Sequence, residues 1–475
     1  MREMKNGVIL AAALASVSTL GFSESVNWKV NNVATWVEAV GGIRGGGNDA
    51  AHVITITGDI SVPITPASES TFGSVENVTV TLEGSGTLSP SSTNGNLLRI
   101  GNGQTVIVKD LALQGRDNNT GSVVMITGGD FVMEGSAVVS GNKKNGKGGG
   151  VYVNGGTFNM KDTAAVSGNS AGEGIGGVYV GRGTFAMRDN AAVSGNENGG
   201  VFAGGTFTME DNASVSDNNG GGVGIGYEDG FSLKTGTFTM KGNAAVSGKK
   251  ESGVYVGSGN FILQENAKVS DNSGSGVNVD GGGVFTMQGG LVSGNAAGNG
   301  GGVYIGGVGF NSGYVVVEDG MISHNTADGN GGGVYIGGRY GTLVMKGGAI
   351  AENTAQSNGG GVYAGTTFTM EGGTVSDNTA GGNGGGVYIN DEFTMQSGVV
   401  SGNSAGRNGG GVYVGRGTFT KTGGTINGGD EADSVKNSAK SNQGHAVYQA
   451  SGPQWRNGTA GPTMNPDAYG FWLND

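Results

Sequence analysis

The 475-residue sequence contains no cysteine, and it has only six prolines and three histidines. The lack of cysteine excludes a disulfide framework, a cysteine-ligated zinc site, thiol catalysis and a lipid-modified N-terminal cysteine. The scarcity of proline, without a strict Gly-X-Y register, excludes a collagen triple helix. Only 13% of the residues are charged and the formal net charge is −12, so a nucleic-acid-binding surface is not expected.

Glycine, by contrast, is abundant, with 104 residues, roughly three times its ordinary usage. A disordered linker can have such a composition, but 35% of the residues here are hydrophobic and they recur in a fixed order. The composition therefore favours an ordered, repetitive fold with many tight turns.

The first 23 residues have the pattern of a secretory signal peptide. Arg2 and Lys5 form a basic start, Val8–Ala15 is an apolar run, and small residues follow at Gly21 and Ser23. The apolar run is too short to span a membrane, and a buried N-terminal helix is the alternative interpretation. We therefore expect an exported mature chain with no transmembrane segment.

A repeated unit of the form GGVYV, GTFTM and AAVSGN is the strongest signal in the chain. From Val139 to Ile426 the apolar residue of the third element returns twelve times, about every 26 residues. The repeat divides the chain into a signal peptide (1–23), an N-terminal cap with irregular first coils (24–120), regular repeats (121–427) and a C-terminal cap (428–475).

Each repeat contains three short segments with the alternation of a β-strand. In Phe158-Asn-Met160 and its copies the two large apolar residues lie two positions apart, so both face the same side of a strand. Three strands and three turns per repeat predict one coil of a right-handed parallel β-helix, an all-β solenoid of about twelve regular coils. A propeller blade is longer than this repeat, and the leucine and helix pattern of leucine-rich repeats is missing.

Asparagines recur three places after the apolar marker of the third element. A side-chain amide at a turn can donate to and accept from its copies in neighbouring coils, so we interpret the row as a structural ladder rather than a ligand set. The ladder comprises Asn142, Asn169, Asn196, Asn218, Asn272, Asn295, Asn325, Asn353, Asn378 and Asn403, and Lys249 and Gly429 interrupt it.

The combination of a GGVY element with a closing (V/I)-S-(G/D)-N resembles the repeats of the polymorphic outer-membrane protein family. That family has GGA plus an aliphatic residue followed by F-x-x-N, so this sequence departs from its pattern at both motifs. The resemblance covers about 300 residues. It implies a surface-exposed right-handed β-helix of pectin-lyase-like architecture and an exported, adhesin-like protein of the cell surface or outer membrane.

Both ends of a parallel stack need a cover, because their strands have unpaired edges. Val33, Trp36, Val37 and Val40 lie at i, i+3, i+4 and i+7, which predicts a helix that caps the N-terminal end. At the other end, residues 444–448 repeat the GGVY element once more, and the segment around Trp455 is predicted to close the stack.

Parallel β-helices include polysaccharide lyases and hydrolases, which use clustered carboxylates, often with calcium and a basic residue. This sequence matches the motifs of such enzymes only in fragments, at Gly444–Ala446 and Asn325–Asp328. His52, His324 and His445 stand in unrelated contexts. We expect neither catalysis, nor a metal, nor a cofactor, and a carbohydrate-active enzyme remains the alternative hypothesis.

Aromatic residues give two candidate binding surfaces. In Val-Tyr-Val the valines take the inward positions, so the tyrosines are predicted to form an outward stripe that could stack on sugar rings or on a partner protein, or only stiffen the sheet. Insertions between the first and second elements concentrate at one corner, where loops of a solenoid often bind. The candidate ligand-binding residues are Tyr227, Phe231, Phe310, Tyr314, Arg339, Tyr340, Tyr304 and Tyr335.

The sequence therefore predicts an exported surface scaffold that binds an unidentified glycan or surface protein. A carbohydrate-active enzyme on the same fold and a passive surface-layer protein are the alternatives. The oligomeric state and the mode of surface attachment stay open.

Overall fold

A computed structural model describes residues 25–228, 233–248, 250–308, 311–429, 431–432, 434–441, 444–450 and 454–456. The predicted signal peptide and the side chains of Tyr227, Phe231 and Phe310 lie outside the described residues. The chain forms an all-β parallel solenoid of about 15 turns. The sequence predicts about twelve regular coils preceded by irregular first coils, and the segments before residue 121 form these additional turns without carrying the repeat motif.

A regular turn has three strands, and each of these strands pairs in parallel with its copy in the next turn. The three resulting faces are named after the residues of the regular repeat: the Tyr face carries Val-Tyr-Val, the Phe–Met face carries Phe-x-Met, and the Val–Ser face carries the Val-Ser pair. In register, Tyr152 lies beside Tyr179, Phe158 beside Phe185 and Val166 beside Val193. Equivalent side chains therefore form continuous rows along the axis.

The Phe–Met face consists of Val26–Val30, Ala51–Ile56, Val78–Gly84, Gln104–Lys109, Asp130–Glu134, the second halves of Val151–Met160 and Val178–Met187, Thr206–Met209, Thr237–Met240, Asn260–Leu263, the first halves of Val284–Ser293 and Tyr314–Ser323, Thr342–Met345, Thr367–Met370, Glu392–Met395 and Thr418–Lys421.

The Val–Ser face consists of Ile60–Val62, Thr87–Pro90, Ala112–Gln114, Val138–Ser140, Ala165–Ser167, Ala192–Ser194, Ser214–Ser216, Ala245–Ser247, Lys268–Ser270, the second halves of Val284–Ser293 and Tyr314–Ser323, Ala349–Ala351, Thr374–Ser376, Val399–Ser401 and Thr425–Ile426.

The Tyr face consists of Leu98–Ile100, Val124–Ile126, the first halves of Val151–Met160 and Val178–Met187, Val201–Ala203, Val223–Ile225, Val254–Val256, Val277–Val279, Val303–Ile305, Val334–Ile336, Val362–Ala364, Val387–Ile389, Val412–Val414 and Val447–Gln449. The short strand Gln454–Arg456 pairs antiparallel with the last of these.

The core is a set of stacked side-chain rows inside the coils. Seven phenylalanines from Phe131 to Phe285 are fully buried, and successive ring centroids lie 4.6 to 5.1 Å apart. This separation matches the spacing of neighbouring strands, about 4.8 Å, so each ring stacks on the next without strain. Val315 and Leu343 interrupt the row, which resumes at Phe368.

One helix, Val33–Gly45, lies at the N-terminal end of the stack. Asn32 caps it, since its Oδ1 accepts a hydrogen bond from the backbone N–H of Thr35 at 3.0 Å. Trp36, Ala39 and Ile43 are buried in the core.

The predicted apolar face of this helix was partly wrong. Val33 and Val37 are 42% and 52% exposed, while Ile43, which was not in the prediction, is buried. The helix buries the side on which positions 36, 39 and 43 follow one another. The predicted apolar positions, which begin at Val33, therefore coincide only partly with the buried side of the helix.

Additional short strands lie at two of the corners between the faces. Between the Val–Ser face and the Tyr face, long turns add the two-residue strands Lys143–Lys144, Ser170–Ala171, Ala296–Ala297, Thr326–Ala327, Thr354–Ala355, Thr379–Ala380, Ser404–Ala405 and Ser438–Ala439. Between the Tyr and Phe–Met faces, the two long insertions form hairpins, Tyr227–Glu228 with Leu233–Lys234 and Gly307–Val308 with Asn311–Ser312.

Candidate functional site

The outer side of the Tyr face carries a column of aromatic rings. Tyr304, Tyr335, Tyr363, Tyr388, Tyr413 and Tyr448 stack on one another with centroids 5.0 to 5.3 Å apart and planes within 15° of parallel. The valines and isoleucines that flank these tyrosines are buried, and the rings themselves are half-buried. The column therefore presents ring edges and hydroxyl groups to solvent along six turns.

Glycines two positions after Tyr304 and Tyr335 make room for the rings of these two tyrosines. A Cβ at Gly306 would stand 2.8 Å from Cε1 of Tyr304, and one at Gly337 would stand 2.5 Å from Cε1 of Tyr335. Each ring thus leans along its own strand over a residue without a side chain. The pattern Tyr-x-Gly occurs at Tyr304, Tyr335, Tyr363 and Tyr413, whereas Asn390 and Ala450 take the place of the glycine after Tyr388 and Tyr448.

Burial raises the pKa of Tyr335, Tyr363 and Tyr413, and the neighbouring tyrosines of the column raise it further. The phenols therefore keep their protons at neutral pH. In this state each hydroxyl can both donate and accept a hydrogen bond.

The N-terminal part of the column is different, because its rings are more covered. Tyr152 meets Tyr179 edge-on at 5.1 Å, and Tyr179 stacks on Phe202 at 4.7 Å. Tyr179 and Phe202 are only 3% and 8% exposed, and the ammonium of Lys147 lies 5.6 Å from the ring centre of Tyr179. These rings point away from the core, as predicted; Tyr152 is half-buried, whereas only a small part of Tyr179 and Phe202 is exposed.

A cleft of about 500 Å³ opens in the column where the aromatic row is broken. Gly224 stands at the position of the ring, between Phe202 in the preceding turn and Tyr255 in the following one, and Asn278 replaces the next tyrosine. All four residues line the cleft, together with the turn that contains Lys250. The sequence pattern alone did not predict that these two replacements leave a recess.

The cleft lies where the turns before the Tyr face are shortest. Val223 lies five positions after Asn218, whereas Val334 lies nine positions after Asn325. In the long turns a glycine packs on the tyrosine of its own coil; a Cβ at Gly331 would stand 2.8 Å from Cα of Tyr335. In the short turn before Val223, the glycines Gly220, Gly221 and Gly222 line the cleft.

The predicted binding residues whose side chains are described do not converge on one site. Tyr304 and Tyr335 stack on each other in the column. Arg339 and Tyr340 are exposed at the corner beyond the Tyr face, and Tyr314, 41% exposed, begins a strand of the Phe–Met face. Of the remaining candidates, the backbone of Tyr227 begins a hairpin strand, but its side chain, like Phe231 and Phe310, lies outside the described residues.

The asparagine row forms a buried hydrogen-bonded ladder. In each regular link the backbone N–H and the Nδ2 of one asparagine donate to the Oδ1 of the next, at 2.7 to 3.1 Å. Asn119 extends the row at its start and Asn437 at its end. The spacing of the repeat points to Gly429 as the next ladder position. Asn437, eight residues further along the chain, fills this position instead.

A second ladder, which the sequence analysis did not predict, lies on the corner before the Tyr face. Here the backbone N–H of each asparagine donates to the Oδ1 of the preceding one, at 2.8 to 3.2 Å. Its members are Asn299, Asn330, Asn358, Asn383 and Asn408. The signal was visible in the recurring motif NGGGVY.

The three histidines stand apart in the structure. His52 is buried, and its Nδ1 accepts a hydrogen bond from Nε1 of Trp28 at 3.4 Å. His324 is exposed and pairs with Glu352 at 2.6 Å, and Nδ1 of His445 accepts from the backbone of Ala439. Burial lowers the pKa of His52 and His445, the latter also through Lys436.

Among the described side chains, no group of three or more histidines and carboxylates is placed to hold a metal ion. Over the same part of the chain, no helix is both long enough and apolar enough to cross a membrane. Comparison with protein-family models, with curated proteins and with solved structures gives no match.

Proposed function

We propose that this protein is an exported, adhesin-like scaffold that binds a glycan or a protein at the cell surface through its Tyr face. The observation that carries the proposal is the stacked column from Tyr304 to Tyr448. Rings with an apolar body and a polar tip are the groups that protein surfaces most often use for recognition.

Repetition gives such a column a particular advantage. A single exposed ring contributes little, but rings at a spacing of about 5 Å can engage an extended partner at several points at once. The strands across the face of another sheet lie about 4.8 Å apart, which is a comparable periodicity. The column therefore fits extended ligands, such as a sheet face or a flat polysaccharide chain, better than compact ones.

Export and surface location rest on the sequence of residues 1–23 and on the resemblance to polymorphic outer-membrane repeats. An N-terminal sequence of the secreted protein tests the first point directly. A mature chain that begins near residue 24 supports export, whereas a chain that retains residues 1–23 in the cell contradicts it.

The binding proposal is tested with a glycan array and a panel of host-matrix proteins, using the full chain and the variants Tyr363→Ala, Tyr388→Ala and Tyr388→Phe. Loss of binding in both alanine variants, with retention in the phenylalanine variant, is expected if the ring faces and edges carry recognition. The array is repeated with Tyr227, Phe310 and Tyr340 changed to alanine, which measures what the insertion corner adds.

Other outcomes oppose the proposal. Binding to neither panel, with the variants altered only in stability, would favour the passive surface-layer alternative. Release of unsaturated products from polyuronates would favour the enzymatic alternative.

A further inference from the structure

The break in the aromatic column has the dimensions of one missing ring. Phe202 and Tyr255 are two turns apart, about 9.6 Å along the axis at the usual strand spacing, and Gly224 lies between them. Elsewhere in the column successive centroids are 4.7 to 5.3 Å apart. A six-membered ring placed midway would therefore lie at stacking distance from both neighbours.

The floor of this gap is formed by backbone. Gly224 has no side chain, and Gly226, which also lines the cleft, occupies the position that accommodates the ring of a tyrosine in other turns. Gly226 therefore leaves space for a ring in this turn, but Gly224 has no ring to fill it.

The rim of the cleft is polar, unlike its two aromatic walls. Lys250 and Glu251 are exposed on the short turn at one side, and Ser252 follows them. Oδ1 of Asn278, another lining residue, is buried and has no hydrogen-bond partner. An acceptor left in this way is stabilised by a ligand that brings a hydroxyl or amide proton.

We infer that the cleft at Gly224 is a subsite for one hexopyranose unit of a glycan. A pyranose has apolar C–H faces and a perimeter of hydroxyl groups, which match two aromatic walls and a polar rim. An aromatic peptide side chain would use the walls but leave most of the rim unpaired. The volume of about 500 Å³ lies within the range of small-molecule sites. This inference rests on the proposed function and narrows its ligand to a carbohydrate.

The test measures binding of the full chain to the methyl glycosides of glucose, galactose, mannose and N-acetylglucosamine by saturation-transfer NMR, followed by titration. Gly224→Tyr supplies the missing ring. Gly224 lies outside the left-handed region, and an added Cβ would meet only Cδ2 of Phe202, at 3.6 Å, so the replacement can be accommodated. Tyr255→Ala removes one wall.

Gly224→Tyr is expected to abolish saturation transfer to the sugar, and Tyr255→Ala to weaken binding about tenfold. Met125→Tyr is the matched control, because Met125 occupies the same column one turn before Tyr152, away from the cleft. It is expected to bind like the parent chain. Circular dichroism and thermal unfolding of every variant identify any loss of fold.

The outcomes separate this inference from the broader proposal. Sugar binding that survives both Gly224→Tyr and Tyr255→Ala overturns the cleft subsite, as does the absence of binding to any of the four glycosides. If Tyr363→Ala and Tyr388→Ala still abolish binding to a matrix protein or a glycan, the Tyr-face function stands without the subsite. If no partner binds at all, both fail.

Discussion

The Nδ2 of Asn353 donates a hydrogen bond to the Oδ1 of Asn378, 2.9 Å away and 25 residues further along the chain. Asn353 also donates to the carbonyl of Ile322 in the preceding turn, and its own Oδ1 accepts from Asn325. One buried amide therefore links three consecutive turns. The ladder satisfies backbone groups at a corner where the sheet hydrogen bonds are interrupted.

Asn353→Ala is expected to destabilise the solenoid by about 2–4 kcal/mol. The change leaves the backbone N–H of Asn325 and the carbonyl of Ile322 buried without these partners, and each such loss costs about 1–3 kcal/mol. Denaturant unfolding gives the total effect, and hydrogen exchange at residues 322–326 and 350–354 locates it.

Asn358→Ala is the matched control in the second ladder. Asn358 is only partly buried, so water can replace its partners, and we expect a loss below about 1 kcal/mol. Equal losses at both positions would show that burial does not govern the stability of the ladders.

Gly361→Ala is expected to cost about 1–3 kcal/mol. A Cβ there would stand 2.8 Å from the carbonyl oxygen of Gly386 in the next turn and 2.9 Å from Nδ2 of Asn378. Gly298→Ala serves as the control, because a Cβ at that position meets nothing within 4 Å. It is expected to leave the melting temperature unchanged or raise it slightly. A neutral Gly361→Ala would mean that the turns can separate without cost.

Phe238→Ala is expected to destabilise the protein by about 3–5 kcal/mol, because the ring is fully buried between Phe207 and Phe261 at 4.6 and 5.0 Å. Phe238→Leu should cost less, about 1.5 kcal/mol, since Leu343 already fills the equivalent position in another turn. Calorimetry measures both variants. If the leucine variant is as unstable as the alanine variant, the phenylalanine row does not tolerate aliphatic replacements.

The tyrosine column predicts a loss of stability in alkali. Tyr335, Tyr363 and Tyr413 have a raised pKa in the folded chain, so the unfolded chain loses these protons first as the pH rises. Their contribution to stability is present below about pH 10, the ordinary tyrosine pKa, and is lost as the pH rises through the raised values.

Absorbance at 295 nm follows this ionisation, and denaturant unfolding from pH 8 to 11 follows the stability. Tyr363→Phe should reduce the slope of stability against pH above pH 10. If Tyr363→Phe leaves the slope of stability against pH unchanged, groups other than Tyr363 cause the loss of stability in alkali.

Local patterns predicted much of the fold. The two-residue spacing of Phe158 and Met160 indicated which side chains face inward, and the recurring VSGN motif indicated the ladder corner. Prediction failed where the burial or the partner of a residue depends on residues distant in the sequence. Val33 and Val37 fit a helical pattern yet are exposed, because the docking of the helix on the stack selects its buried side. Asn437 continues the ladder only because the chain returns to the same corner after a longer loop.

The sequence by itself determined the parallel solenoid. A period of about 26 residues with three alternating apolar pairs can bury its large side chains only by stacking equal coils, and glycine supplies the turns and close contacts between them. The tertiary structure decided which surface can bind. Whether a ring of the Tyr face is covered or accessible depends on its surroundings in the folded stack, since Tyr179 is only 3% exposed and Tyr255 is 41% exposed. A glycine at the place of a ring forms a recess only when rings from the turns before and after it stand on either side, as Phe202 and Tyr255 do at Gly224.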